Sequence, residues 1–85
     1  MNLSTAVSGR ASIRNVNRKL SLALSVEEDI DTIGGYVINL FGRIPDRGEV
    51  LSANGLEFEI SEVTRKSVTE IIIRKIQDNI SEEDA

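Results

Sequence analysis

Residues 31–48 read D-T-I-G-G-Y-V-I-N-L-F-G-R-I-P-D-R-G, and this stretch decides the fold. Ile33, Tyr36, Val37, Leu40 and Phe41 recur at i, i+3, i+4, i+7 and i+8, the broad apolar stripe of a helix resting on a core. Asp31 or Thr32 is placed to cap its start, and Gly42 stands where a left-handed residue ends a helix. Gly34 and Gly35 oppose that reading, because each costs about 1 kcal/mol against Ala in a helix interior. A glycine pair in the first turn implies close backbone approach, either to a neighbouring strand or to a ligand. Beyond the helix, Ile44 precedes proline and is pushed to an extended conformation. Pro45–Asp46–Arg47–Gly48 then reads as a β-turn.

Toward the C-terminus, Val50–Ala53 begins a strand and Asn54–Gly55 is a two-residue hairpin signal. Leu56, Phe58 and Ile60 alternate with Glu57, Glu59 and Ser61, a half-buried strand with one charged face. Val63 is out of phase with Ile60, which predicts a bulge near Glu62. Thr64–Ser67 makes a second reversal, and the closing strand runs from Val68 to about Ile76. Its Ile71–Ile72–Ile73 centre is apolar on both faces, as in a central strand, a covered edge, or an edge paired with a second copy in a homodimer.

Toward the N-terminus, Ala6–Val7–Ser8 is a short first strand ended by Gly9. Ser12 caps a short helix with Ile13, Val16 and Leu20 on one face. Arg14 and Arg18, extended by Arg10, form a basic ridge suited to a solvated face, lipid headgroups or an acidic partner. Leu20, Leu22 and Leu24 alternate in an extended connection that buries leucines. The expected fold is α+β: a short first strand, two helices, then a three-stranded antiparallel meander packed on the helices. Residues 1–6 are expected as linker or disorder, 7–76 as the domain and 77–85 as an acidic disordered tail.

The 85 residues make one domain with a modest core, and with only Tyr36, Phe41 and Phe58 aromatic that core is Ile, Leu and Val. Ten basic residues face fourteen acidic ones, a net charge of −4. Four of the acids (Asp78, Glu82, Glu83, Asp84) lie beyond Ile76, so the body before them carries ten of each sign. A neutral body argues against nucleic-acid binding, which needs an excess of Lys and Arg against phosphate. There is no Cys and no His, which removes thiolate metal sites, disulfides, the commonest general base and every His-dependent triad. No apolar run approaches the ~20 residues of a membrane span, and no signal-peptide pattern opens the chain. These absences point away from an enzyme.

Two weak constellations remain. The acidic residues Glu27, Glu28, Asp29 and Asp31 are the candidates for a hard cation, with Asp29 and Asp31 nearest the helix. They lack the rhythm of a calcium loop, and carboxylates before a helix are also favoured by its dipole. Gly34 and Gly35 would let a phosphate approach the helix start, with Arg43 or Arg47 pairing to it, as in an FAD- or nucleotide-binding module. Neither of the common glycine-rich phosphate spacings is present. Lys66 lies in a turn rather than in a predicted apolar pocket.

Taken together, Asp31–Thr32–Ile33–Gly34–Gly35, Gly42–Arg43–Ile44–Pro45 and Gly48–Glu49 resemble the signature of the CorC/HlyC transporter-associated domain. Ile13–Arg14–Asn15–Val16–Asn17 resembles that family's first helix, Asn54–Ile60 its hairpin, and Val68, Ile71 and Ile73 its last strand. The resemblance covers about residues 7–76. Leu24–Ser25 departs from the Leu-Pro pair frequent in the family, so that loop is expected to be less rigid. The resemblance implies a cytoplasmic C-terminal domain of membrane proteins that carry a transmembrane region and paired CBS domains. Such proteins include magnesium and cobalt efflux proteins and hemolysins, and the domain also ends some sodium/proton antiporters. It further implies a fold like part of the FAD-binding domains of flavin enzymes, with FAD as an inferred cofactor, and it carries over no catalytic residue. The function it implies is regulation or interaction within an ion-transporting parent protein, without membrane insertion of this segment.

Overall fold

The computed structural model describes residues 4–26, 29–53 and 55–76. Chain order is β1 (Ser4–Ser8), α1 (Ile13–Leu20), α2 (Ile33–Phe41), β2 (Val50–Ala53), β3 (Leu56–Val63) and β4 (Val68–Lys75). The four strands form one sheet in the order β1-β4-β3-β2, with antiparallel neighbours throughout. The meander β2-β3-β4 is thus extended by the first strand, which returns to the far side of β4.

Period-2 patterning explains which face is buried. Leu56, Phe58 and Ile60 of β3 point to the helices, as do Ile71 and Ile73 of β4. Ile13 and Val16 of α1 and Ile33, Tyr36 and Val37 of α2 close the core from above. Tyr36 and Phe58 meet as a tilted aromatic pair with ring centroids 6.0 Å apart. Leu40 and Phe41 complete the predicted stripe but are only half-buried, since they lie at the rim of the core.

Position 72 falls on the opposite sheet face, yet β4 is flanked on both sides, by β1 and β3. The unbroken isoleucine run is therefore the signature of an interior strand. It also removes the expectation of a homodimer built on β4, because β4 has no free edge. The outer strands of the sheet are β1 and β2.

Several details differ from the sequence expectation. β1 begins at Ser4 rather than Ala6, because pairing with β4 extends to Ser4↔Arg74 and Thr5↔Ile73. Of the two expected caps for α2, Thr32 is the one used: its hydroxyl accepts from the Gly35 N–H at 3.2 Å. Leu20 closes α1 instead of opening an extended run, and Ser21 ends that helix in the left-handed region at φ 57°. Of the three alternating leucines only Leu24 is buried.

The turn after α2 is shifted by one residue. Glu49 N–H donates to Asp46 O at 3.1 Å, which centres the turn on Arg47 and Gly48, the latter at φ +92°. The register shift between Ile60 and Val63 matches the expected bulge near Glu62. The Thr64–Ser67 reversal is closed by Thr64 N–H to Ser67 O at 2.8 Å. Asn54 of the hairpin, Glu27–Glu28 and the 77–85 tail lie outside the described residues.

Candidate functional site

The signature residues sit at both ends of α2, so the site is built from there. At its start, the two helices are tied to each other through their caps. Ile13 N–H donates to Asp31 O and Ile33 N–H to Ala11 O, each at 2.9 Å, forming an isolated antiparallel bridge between Ser12 and Thr32. Gly34 N–H then donates to Gly9 O at 2.9 Å, and Gly9 N–H to Thr69 O at 2.9 Å. This places α2, the β1–α1 turn and the head of β4 in backbone contact.

The glycines are dictated by that contact. A Cβ on Gly34 would lie 2.8 Å from Gly9 O and 2.9 Å from Val68 O, and one on Gly9 would lie 1.8 Å from Val68 O. All of these are main-chain atoms that cannot swing aside. Gly35 is different: its nearest neighbour would be the Thr32 hydroxyl at 3.2 Å. Of the two readings of the glycine pair, Gly34 answers to close approach by neighbouring backbone.

The first four N–H groups of α2 already have acceptors within the domain. The N–H groups of Ile33, Gly34, Gly35 and Tyr36 donate to Ala11 O, Gly9 O, Thr32 Oγ1 and Thr32 O respectively. The cradle suggested by Gly34 and Gly35 is thus occupied by the protein's own acceptors, which satisfy the groups a helix N-terminus leaves open.

Arg43 and Arg47 lie at the other end, separated from Gly34 by roughly 13 Å of helix. Both face carboxylates. The Arg43 guanidinium grips Glu49 in a two-pronged pair, 2.8 Å on each side, and Glu49 Oε2 also accepts from Asp46 N–H at 2.8 Å. The Arg43 hydrogen bond, with that of the Asp46 amide, lowers the Glu49 pKa to about 2, and the same pairing raises that of Arg43. Arg43 also lies 5.9 Å from the Phe41 ring centroid. Pro45 is fully buried beneath the loop. Arg47 reaches Glu62 at 3.8 Å with both side chains largely exposed. Glu49 belongs to the signature, but its adjacency to Gly48 gives it no role in the sequence; in the structure it is the anchor that shapes the loop.

Asp29 and Asp31 are both exposed, and no group of three metal-ligating side chains occurs among the described residues. Asp31 contributes its backbone carbonyl to the helix bridge. Asn17, half-buried on α1, forms a reciprocal pair with the backbone of Leu24: Leu24 N–H to Oδ1 at 2.9 Å and Nδ2 to Leu24 O at 3.0 Å. That pair fixes the start of the loop where the Leu-Pro sequence is missing. On the outer sheet face Arg74 bridges Glu57 and Glu59, and Ser61 donates to Glu70 at 2.8 Å.

The concave features are surface grooves. One of about 550 Å³ runs between Ile44–Asp46 and Val63–Arg65, and another of about 430 Å³ runs between β1 and α1. No described helix is long and apolar enough to cross a membrane.

The sequence profile of the CorC_HlyC transporter-associated domain matches residues 3–77. The chain belongs to this family. Magnesium and cobalt efflux protein CorC of Salmonella typhimurium is 33% identical over 64 residues, covering 75% of this chain and 22% of that protein. CorC of Buchnera aphidicola from Acyrthosiphon pisum is 42% identical over 45 residues, 53% of this chain and 16% of that protein. The chain therefore matches about a fifth of the length of these relatives.

Solved CorC_HlyC domains share the architecture. The Nitrosomonas europaea domain has a TM-score of 0.76 at 32% identity, covering 85% of this chain and 86% of that one. A CorC-associated region from Neisseria meningitidis gives 0.78 at 26%, covering 86% and 89%. A Xylella fastidiosa hemolysin domain, solved in complex with Mg²⁺ and Mn²⁺, gives 0.72 at 25%, covering 86% and 87%. Of the signature residues in this chain, Gly34 packs at one end of α2 against Gly9 and β4, and Arg43, Pro45 and Glu49 shape the loop at the other.

Proposed function

We propose that this CorC_HlyC domain is a non-enzymatic docking module on the cytoplasmic side of a larger membrane protein, where it modulates magnesium or cobalt efflux. The observation that carries the reading is that the signature groups are spent internally. The α2 N–H groups have acceptors, and Arg43 is held by Glu49. Such a frame keeps a surface rigid for contact with other parts of a protein, here the CBS domains and the transmembrane region. The similarity to CorC efflux proteins supplies the context.

The test is made in an intact efflux protein of the family. Exchanging its corresponding segment for residues 7–76 of this chain should preserve regulated cation efflux, and excising the segment should alter it. Unchanged efflux after excision sinks the proposal. Adding FAD, ATP and Mg²⁺ in turn to the chain separates this reading from a ligand-binding one. Saturable binding of FAD or ATP, with amide shifts at Gly34, Gly35, Arg43 or Arg47, would replace the docking role. Saturable Mg²⁺ binding at Asp29 and Asp31 would make the domain a cation sensor, as the Xylella fastidiosa complex invites.

A further inference from the structure

The edge of the sheet at β1 carries none of the devices that keep a free strand from pairing. Ser4–Ser8 reads S-T-A-V-S, without a charge or a proline, and its register with β4 runs without a bulge. Antiparallel residues turn their backbone groups alternately toward and away from the neighbouring strand. Gly9 N–H donates to Thr69 O at 2.9 Å and continues the β1–β4 register, so Thr5 and Val7 are the residues bonded to β4. The N–H groups of Ala6 and Ser8 and the Ala6 carbonyl therefore point outward, and no described strand lies beyond them.

Beside this edge lies the groove of about 430 Å³ between β1 and α1. Val7, Ala11, Val16 and Leu20 give it an apolar floor, and the exposed Asn15 and Lys19 stand on its helix side. Arg18, also exposed, adjoins them. Neither Arg18 nor Lys19 enters an ion pair with a described carboxylate. We propose that the β1 edge and this groove take an extended, acidic segment of a partner polypeptide, which adds to the sheet as a further strand. Its backbone pairs with Ala6 and Ser8, its small apolar side chains cover Val7 and Leu20, and its carboxylates meet Arg18 and Lys19. Charge selects this occupant over a second copy. A two-fold β1–β1 pairing would keep both α1 helices on one face of the joined sheet, with like-charged rims flanking the joint. The assignment names a surface for the docking role proposed above and rests on that reading. It is read on the chain alone, so its failure leaves the efflux test standing.

The probe is the acetylated, amidated heptapeptide T-V-T-V-E-E-E, titrated into the ¹⁵N-labelled 1–85 chain at low salt. At saturation, amide exchange should slow by about tenfold or more at Ala6 and Ser8 and stay unchanged at Thr5 and Val7, which already face β4. The same peptide with Lys for Glu should bind about tenfold more weakly, as should the acidic peptide to Arg18→Glu/Lys19→Glu. Ala6→Pro should abolish binding without unfolding the chain, because the N–H it removes faces away from β4. Unchanged amides of Phe58 and Ile71 report that the variants are folded. Shifts at Arg18 and Lys19 without protection of Ala6 and Ser8 overturn the proposal, since the face then binds anions without adding a strand. Equal affinity for the Lys peptide overturns it too. So does protection of Ala6 and Ser8 in the free chain, which gives the edge to another segment of this chain, or to a second copy where the protection grows with concentration.

Discussion

The start of α2 and the loop that leaves it both depend on glycine, yet different forces hold them. At the start, Gly9 and Gly34 are needed because backbone from three elements converges with no room for a side chain. In the loop, Gly42 has nothing within 4 Å of a built Cβ, and its requirement is a left-handed backbone at φ +80°. Close packing and backbone hydrogen bonds secure the first end. Conformation and one charged pair, Arg43–Glu49, secure the second. A region of the first kind resists salt and pH and fails all at once. A region of the second kind responds to both and fails by degrees.

The largest effect should come from crowding the first end. Gly9→Ala places a methyl 1.8 Å from a carbonyl oxygen, and should cost about 4 kcal/mol or more, enough to unfold a domain of this size. Gly34→Ala, at 2.8 and 2.9 Å, should cost about 2–3 kcal/mol. Urea unfolding measures both, and neither cost should change with salt. A Gly34→Ala protein as stable as the parent would show that this end yields, and the contrast between the ends would collapse.

Gly42→Ala should cost about 1–2 kcal/mol, the strain of a left-handed residue with a Cβ and no clash. A larger loss would mean that the loop end is crowded after all.

Glu49→Gln should lower stability by less, and only under particular conditions. The folded pKa of Glu49 lies at about 2, below its ordinary value of 4.5. Its contribution is therefore complete above pH ~4.5 and lost as pH falls toward about 2. Thermal midpoints of parent and variant should differ at neutral pH in low salt, and converge near pH 2 or at 1 M salt. A difference that persists in acid would assign Glu49 a role other than the ion pair.

The smallest effect belongs to Gly35→Ala. Its only tight contact is a rotatable hydroxyl at 3.2 Å. The gain of up to about 1 kcal/mol in helix propensity is offset by disturbing the Thr32 cap. A net change within about 0.5 kcal/mol of zero is expected by urea unfolding. A large loss would place both glycines of the pair under the same constraint.

Local chemistry makes much of the fold readable. Ser12 is predicted as a cap and serves as one; Ile33–Phe41 has a helical period and is a helix; Val50–Ala53 and Leu56–Val63 pair antiparallel as the expected hairpin. The bulge near Glu62 shows as a break in alternation. The candidate site is less readable. Gly34 and Gly35 are identical neighbours in sequence, and only one of them is crowded. Gly9, the most crowded glycine, reads in the sequence as a simple strand terminator. Arg43 suggests an anion site because its partner, six residues away across a turn, has no periodic relation to it.

By itself the sequence determined the family, the order of elements and which side of each helix and strand is apolar, because those depend on periodicity and on residues adjacent in the chain. The stretch 31–48 is decisive for that reason. Only the tertiary structure decided that β1 joins the meander beside β4, that Gly9 and Gly34 touch β4 by backbone, and that the helix N–H groups and Arg43 already have acceptors. Those outcomes depend on which distant atoms come within hydrogen-bond or van der Waals reach, and such distances are set by packing rather than by the order of residues.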